Sequence, residues 1–130
     1  MKVIALDYGS ARTGVAVSDP TGTIARPLPP IRRVETREGR AELDRVIADA
    51  APDLIVVGEP RHLSGEVGAQ ARAAAAFAER LRRRSGIPVE LADERLTTVE
   101  AGRRAAESGS ATSLDSLAAC LLLEAFLARR

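Results

Sequence analysis

The sequence predicts an α/β fold: a mixed sheet of five strands, the first three antiparallel and the last two parallel, flanked by helices. Three observations predict it. The chain opens on a short apolar, β-branched run, Lys2–Leu6, that stops at Asp7-Tyr8-Gly9-Ser10. Two more short runs follow before any helical spacing appears. From Thr36 onward, amphipathic segments alternate with apolar runs, the pattern of β-α-β crossovers, which need parallel strands covered by helices.

Each element has its own signal. Lys2–Leu6 reads as a buried strand. Thr13–Ser18, with Val15, Ala16 and Val17, reads as its hairpin partner, Gly9 and Gly14 bracketing the turn. Thr21-Gly22-Thr23 is a second turn, and Ile24–Ile31 a third strand. Pro27, Pro29 and Pro30 each lack a ladder donor, which makes that strand irregular or places it at an edge. Thr36–Ala51 carries Leu43, Val46, Ile47 and Ala50 at helical spacing, and Pro52-Asp53 ends it. Leu54–Gly58 is the clearest buried strand, followed by a polar loop, Glu59–Gly68. Ala69–Arg84 is an alanine-rich helix closed by Ser85-Gly86. Ile87–Leu91 is the fifth strand. Thr97-Thr98-Val99-Glu100 has capping-box spacing and opens a short helix to about Glu107. Ser113–Arg129 is the last helix, with Leu114, Leu117, Leu121 and Leu122 as its apolar stripe. Ser108–Thr112 is too short to separate domains, and there is no internal repeat, so residues 1–130 are expected to form one domain.

Composition narrows the function. A chain of 130 residues and 13.8 kDa with 45% hydrophobic residues can build one core. Aromatics are only 2%, so that core is aliphatic and a base-stacking platform for single strands is excluded. A net charge of +1 excludes a simple polyelectrolyte binder. Lys2 is the only lysine, so arginine, whose planar fork suits phosphate oxygens, supplies the other 18 of the 19 basic residues. Cys120 alone allows no internal disulfide and no cysteine-based metal site. No apolar run is long enough to span a membrane, and Met1–Leu6 runs straight into a turn, unlike a signal peptide. A cytoplasmic protein is expected.

In open α/β sheets ligands gather beyond the carboxyl ends of the strands, so acidic residues there are the candidates for chemistry. Asp7 follows the first strand, Glu59 the fourth, and Asp93 and Glu94 the fifth; Asp115 lies in the first turn of the last helix. Each has an ordinary alternative: a turn aspartate, a loop charge, a partner for Arg95, a helix-start residue favoured by the dipole. Together, several carboxylates at one sheet edge repel one another unless a cation neutralises them. Oxygen ligands with a single histidine point to Mg²⁺ or Mn²⁺ and not zinc. Two such ions can activate a water and stabilise the leaving oxygen in phosphodiester hydrolysis. Arg12, Arg61, His62, Arg95 and Thr97 fall at the same edge as candidates for positioning phosphates. Arg80, Arg82, Arg83 and Arg84 end a helix, where the dipole favours cations, and read as a solvated face.

Four segments, in order across nearly the whole chain, carry a resemblance. They are Ala5-Leu6-Asp7-Tyr8-Gly9 with Arg12–Asp19, Ile55–Gly58 through Pro60 to Gly65, Asp93-Glu94-Arg95-Leu96-Thr97-Thr98, and Asp115–Ala119 with Leu121-Leu122. The sequence resembles the YqgF/RuvX family, RNase H-like proteins described as pre-16S rRNA nucleases and Holliday-junction resolvase homologues. The resemblance implies an RNase H-like fold and a divalent-metal nuclease, cytosolic in bacteria, acting on rRNA precursor or branched DNA. It maps the family's acidic positions to Asp7, to the Asp93-Glu94 pair, with Glu94 preferred, and to Asp115. The family usually has an apolar residue where this chain has Glu59. Related resolvases place a catalytic Glu at the end of the equivalent strand, so Glu59 is a candidate fourth carboxylate. Ala118 stands where the resolvases carry a second acid three residues after Asp115.

Two other functions compete. A nucleotide-binding protein of actin-like type would use the Asp7–Gly14 hairpin, but such proteins close two lobes and 130 residues provide one. A non-catalytic nucleic-acid- or ribosome-binding module would not need the acids. Symmetric cutting of a junction calls for a two-fold homodimer, whereas cutting one RNA strand does not.

Overall fold

The computed structural model describes residues 1–59, 68–93 and 114–129. Five strands and three helices occur among them: β1 (Val3–Asp7), β2 (Arg12–Ser18), β3 (Ala25–Arg32), α1 (Arg37–Ala50), β4 (Leu54–Glu59), α2 (Ala69–Ser85), β5 (Val89–Asp93) and α3 (Leu114–Ala128). They form one mixed sheet in the order β3-β2-β1-β4-β5. β1 pairs antiparallel with β2, and β2 with β3; β1, β4 and β5 run parallel. The predicted meander and both crossovers are present. The predicted helix over Thr97–Glu107 lies outside the described residues.

Both faces of the sheet are covered, which is why β1 and β4 read as unbroken apolar runs. On one face Ile4, Leu6, Val15, Val17, Ile55, Val57 and Val89 pack with Leu43 and Ile47 of α1 and with Ala74, Phe77, Ala78 and Leu81 of α2. On the other, Val3, Ala5, Ala16, Leu54 and Val56 pack against Ala119, Cys120, Leu122 and Leu123 of α3. This two-sided burial fixes the pleat, because successive side chains alternate between faces. The buried set of α3 extends without a break from Ala118 to Leu123, with Leu117 only half-buried. The expected stripe of Leu114, Leu117, Leu121 and Leu122 was therefore too narrow. A helix wedged against β1, β2 and β3 together buries more than one stripe.

Three other expectations shift. Arg12, expected in the first turn, belongs to β2, whose Gly14 stands opposite Asp7. The fifth strand starts at Val89 and not Ile87, because Pro88 cannot donate to the ladder. β3 starts at Ala25, leaving Ile24 exposed, and ends at Arg32. As the prolines predict, β3 is an edge strand, and its irregularity is specific. Val15 pairs with Leu28 and Thr13 with Ile31, so Pro29 and Pro30 together oppose Gly14 as a bulge.

α1 is capped locally. Thr36 Oγ1 accepts from Gly39 N at 3.1 Å at the start of α1. A Cβ on Gly39 would stand 2.1 Å from the Arg33 carbonyl oxygen, so only glycine lets α1 begin this close to the end of β3. No helix among the described residues is long and apolar enough to cross a membrane.

Candidate active site

Because β1, β4 and β5 are parallel, their carboxyl ends share one edge of the sheet. Asp7 closes β1, and Glu59 and Asp93 close β4 and β5 as the last register pair of that ladder. Alternation places Asp7 on the face of Val3 and Ala5, which α3 covers. Gly58 and Ala92, one residue short of the ends of β4 and β5, are themselves register partners.

α3 runs antiparallel to β1, and two contacts fix its direction. Near its start the buried Ser116 hydroxyl donates to the Leu28 carbonyl at 2.6 Å. Leu28 lies opposite Val15, which lies opposite Leu6, the residue before Asp7. Near its end Leu127 Cδ2 lies 3.7 Å from where a Cβ on Gly22 would stand, beside Met1 at the far end of the sheet. The first turn of α3, which contains position 115, therefore stands at the Asp7 end. The helix N-terminus brings positive potential to that edge.

The turn after Asp7 is held tightly. The hydroxyl of the fully buried Thr13 bridges it, donating to Gly9 O at 3.3 Å and accepting from Gly9 N at 3.4 Å. A Cβ on Gly9 would lie 2.4 Å from the Arg12 carbonyl oxygen, so the chain closes here only with glycine. Arg33 N donates to Ala11 O at 2.9 Å, tying the turn to the end of β3.

Behind Asp7, on the opposite face, Tyr8 anchors the end of β1. Its ring stacks on Phe77 of α2, with centroids 4.6 Å apart. Its hydroxyl donates to Glu35 Oε2 at 2.6 Å, and Arg80 of α2 reaches Glu35 Oε1 at 2.5 Å. Burial, the hydrogen bond to Glu35 and that carboxylate's charge push the Tyr8 hydroxyl up to about 12, against a smaller opposing pull from Arg80. For Glu35, burial disfavours the charged form, but the bonds from Tyr8 and Arg80 outweigh it and hold its carboxyl below the usual range. This relay joins β1, α1's entry segment and α2, and sequence reasoning missed it. Its only signal was the chain's one tyrosine lying next to Asp7.

Of the predicted site residues, the structure thus places Asp7 and Arg12 with their side chains, and the backbones of Glu59, Asp93 and Asp115, at one end of the sheet. Arg61, His62, Glu94, Arg95 and Thr97 lie outside the described residues. Among the described residues no group of three His, Cys, Asp or Glu side chains converges. Cys120 is buried in the core against α3's face of the sheet. The arginines that end α2 lie on a solvated face, as the sequence suggests, and each meets an acid there: Arg80 pairs with Glu35, Arg82 and Arg83 with Glu79, and Arg84 with Asp44.

A sequence model described as "RuvX: Holliday junction resolvase" matches residues 1–129. The chain belongs to the RuvX family. It is 40% identical over 135 residues to a Lachnospira eligens protein named "Putative pre-16S rRNA nuclease", covering 98% of this chain and 96% of that one. A Moorella thermoacetica protein of the same name is 39% identical over 134 residues, covering 99% and 96%. This RuvX-family chain is accordingly a nuclease. Among solved structures, Thermus thermophilus RuvC in complex with a Holliday junction substrate superposes with a TM-score of 0.57 at 20% identity, covering 99% of this chain and 96% of that one. The fowlpox virus resolvase with Holliday junction DNA gives 0.61 at 12%, covering 99% and 98%. These likenesses identify the RuvX-family fold seen here as RNase H-like.

Proposed function

We propose that this chain is a divalent-metal-dependent endonuclease that hydrolyses phosphodiester bonds in structured nucleic acid, residues 1–130 acting as one nuclease domain. The observation that carries the reading is the convergence of the Asp7 carboxylate, the ends of β4 and β5 and the start of α3 at one edge of the sheet. The donor chemistry fits Mg²⁺ or Mn²⁺: carboxylate oxygens at strand ends, with the only thiol buried elsewhere. Asp7, Glu94 and Asp115 are the proposed ligands, with Glu59 and Asp93 as further candidates. An ion held by these carboxylates would supply Lewis acidity and lower the pKa of a bound water. The chain's own residues do the rest. The Thr13-bridged turn and the Tyr8 relay keep Asp7 from shifting. Arg12, with Arg61, His62, Arg95 and Thr97, positions phosphates.

Relatives at about 40% identity are named for pre-16S rRNA. That favours rRNA precursor as substrate, in the cytoplasm. The family description names the Holliday junction, the second reading, which would require a homodimer with two active sites. The deciding experiment compares cleavage of a 16S rRNA precursor, a four-way DNA junction and plain duplex DNA, with Mg²⁺ and Mn²⁺ in separate reactions. Asp7→Asn and Asp115→Asn abolish metal-dependent cleavage while retaining the fold. If both cut at the wild-type rate, the site is elsewhere. Glu59→Leu weakens metal affinity; an unchanged metal titration removes Glu59 from the ligand set.

A further inference from the structure

Three arginines stand together beyond Asp7 on the β2–β3 side, and only one of them drew attention in the sequence. Arg12 and Arg32 are direct register partners across β2 and β3. Arg33 follows at once, and its backbone N–H donates to Ala11 O at 2.9 Å, which holds it beside the turn that follows Asp7. All three are exposed. None has an ion pair among the described residues, in contrast to Arg80, Arg82, Arg83 and Arg84 at the end of α2, each of which has one.

The arrangement works against folding in two ways. Like charges directly opposite one another on neighbouring strands are destabilising. Arg33 also holds φ at 43°, a left-handed conformation that is strained for a side chain of this kind. Its backbone is fixed there from both sides, because its carbonyl also accepts from Thr36 N at 2.9 Å and from Thr36 Oγ1 at 2.7 Å. The repelling pair is relieved by no acid among the described residues, and a ligand of opposite charge would offset that repulsion.

Their position says which ligand. Along β2, Ala16 packs on the α3 face while Val15 and Val17 pack on the other. Alternation then puts Gly14 and Arg12 on the α3 face, and Arg32 with its partner Arg12. Asp7 is on that face too, directly opposite Gly14. Arg12 stands two residues beyond Gly14, about 7 Å along the strand, and Arg32 one strand further out, about 5 Å away. This row leads outward from the proposed metal edge at a spacing that fits consecutive phosphates of one strand. We propose that Arg12, Arg32 and Arg33 form a phosphate track that carries the nucleic-acid backbone away from Asp7 across the β2–β3 edge, and that Arg80, Arg82, Arg83 and Arg84 take no part in it. The track rests on the nuclease reading above and gives that reading a direction.

The test measures binding apart from cleavage. In an Asp7→Asn background, the full chain binds a fluorescent 16S rRNA precursor stem or a four-way DNA junction, followed by anisotropy over a range of KCl concentrations. Each lost phosphate contact lowers the slope of log K against log salt by about 1. Arg32→Gln with Arg33→Gln weakens binding and lowers the slope by about 2, whereas Arg83→Gln leaves it unchanged. Melting of the double variant supplies a readout of opposite sign: with the repulsion between Arg12 and Arg32 relieved, Tm holds or rises while binding falls. An unchanged slope in the double variant overturns the track, as does an equal loss in Arg83→Gln. A fall in Tm alongside weaker binding overturns it too, by assigning the pair a structural role. The two readings fail separately. Cleavage that survives Asp7→Asn removes the metal edge, while an unaltered salt slope removes only the track.

Discussion

Tyr8 is the only tyrosine in the chain and there is no tryptophan, so its ionisation can be followed directly by ultraviolet absorbance. An unperturbed tyrosine titrates near 10.0, and this one is pushed up to about 12 by burial, by its hydrogen bond to Glu35 and by that group's charge. The absorbance midpoint of the folded protein should therefore lie well above 10. Glu35→Gln removes the carboxylate's charge and weakens its bond but leaves the burial, so the midpoint falls back and still stays above 10. A shift of this size would correspond to roughly 3 kcal/mol for a fully desolvated group. The Tyr8 ring is only partly buried, and solvent screening brings the contribution down to about 1 kcal/mol. The sign follows from the raised value. The stability contributed by the neutral hydroxyl is complete below pH 10 and is lost as pH rises toward 12. Absorbance titration with circular dichroism on the same samples checks both points. A midpoint at 10 in protein that is still folded, or no change on Glu35→Gln, refutes the relay.

Two further substitutions test how the site is held. Ser116→Ala deletes the buried hydroxyl that binds the Leu28 carbonyl, costing about 1–2 kcal/mol and several degrees of Tm; an unchanged melt would show that this bond does not fix α3. Gly39→Ala gains up to about 1 kcal/mol in helix propensity. It also forces a methyl to within 2.1 Å of the Arg33 carbonyl oxygen, an overlap with backbone at the upper end of the usual 1–3 kcal/mol overpacking cost, about 3 kcal/mol. The net is a loss of about 2 kcal/mol, read by urea denaturation; equal or greater stability would contradict the close approach of α1 to β3.

The parts legible in the sequence were those that local pattern determines. Val3–Leu6 and Leu54–Val57 are buried from both sides, so their composition alone marks them as central strands, and their carboxyl ends then locate Asp7 and Glu59. The three prolines likewise announced an edge. What local pattern does not contain is register. Arg12 and Arg32 are twenty positions apart and become neighbours only because Pro29 and Pro30 bulge against Gly14. Had the strands paired without that extra residue, Arg32 would fall on the opposite face. The Tyr8–Glu35–Arg80 relay is similarly invisible, since its members come from three segments that only the packed sheet brings together. Arg80, Arg82, Arg83 and Arg84 read correctly as a solvated face, but the acids that answer their charges, Glu35, Glu79 and Asp44, are in large part distant in sequence.

The bulged, proline-rich edge has a consequence for self-association. A strand on the outside of a sheet is a template onto which another copy of the chain can add, the first step toward aggregates. β3 offers a poor template: three of its eight residues have no N–H to give, and the bulge interrupts the repeat a visiting strand would have to match. Arg26, Arg32 and the neighbouring Arg33 add like charges that would repel a second copy laid alongside. The border of the sheet that bears Arg12 and Arg32 is thus closed to its own kind and open to polyanions.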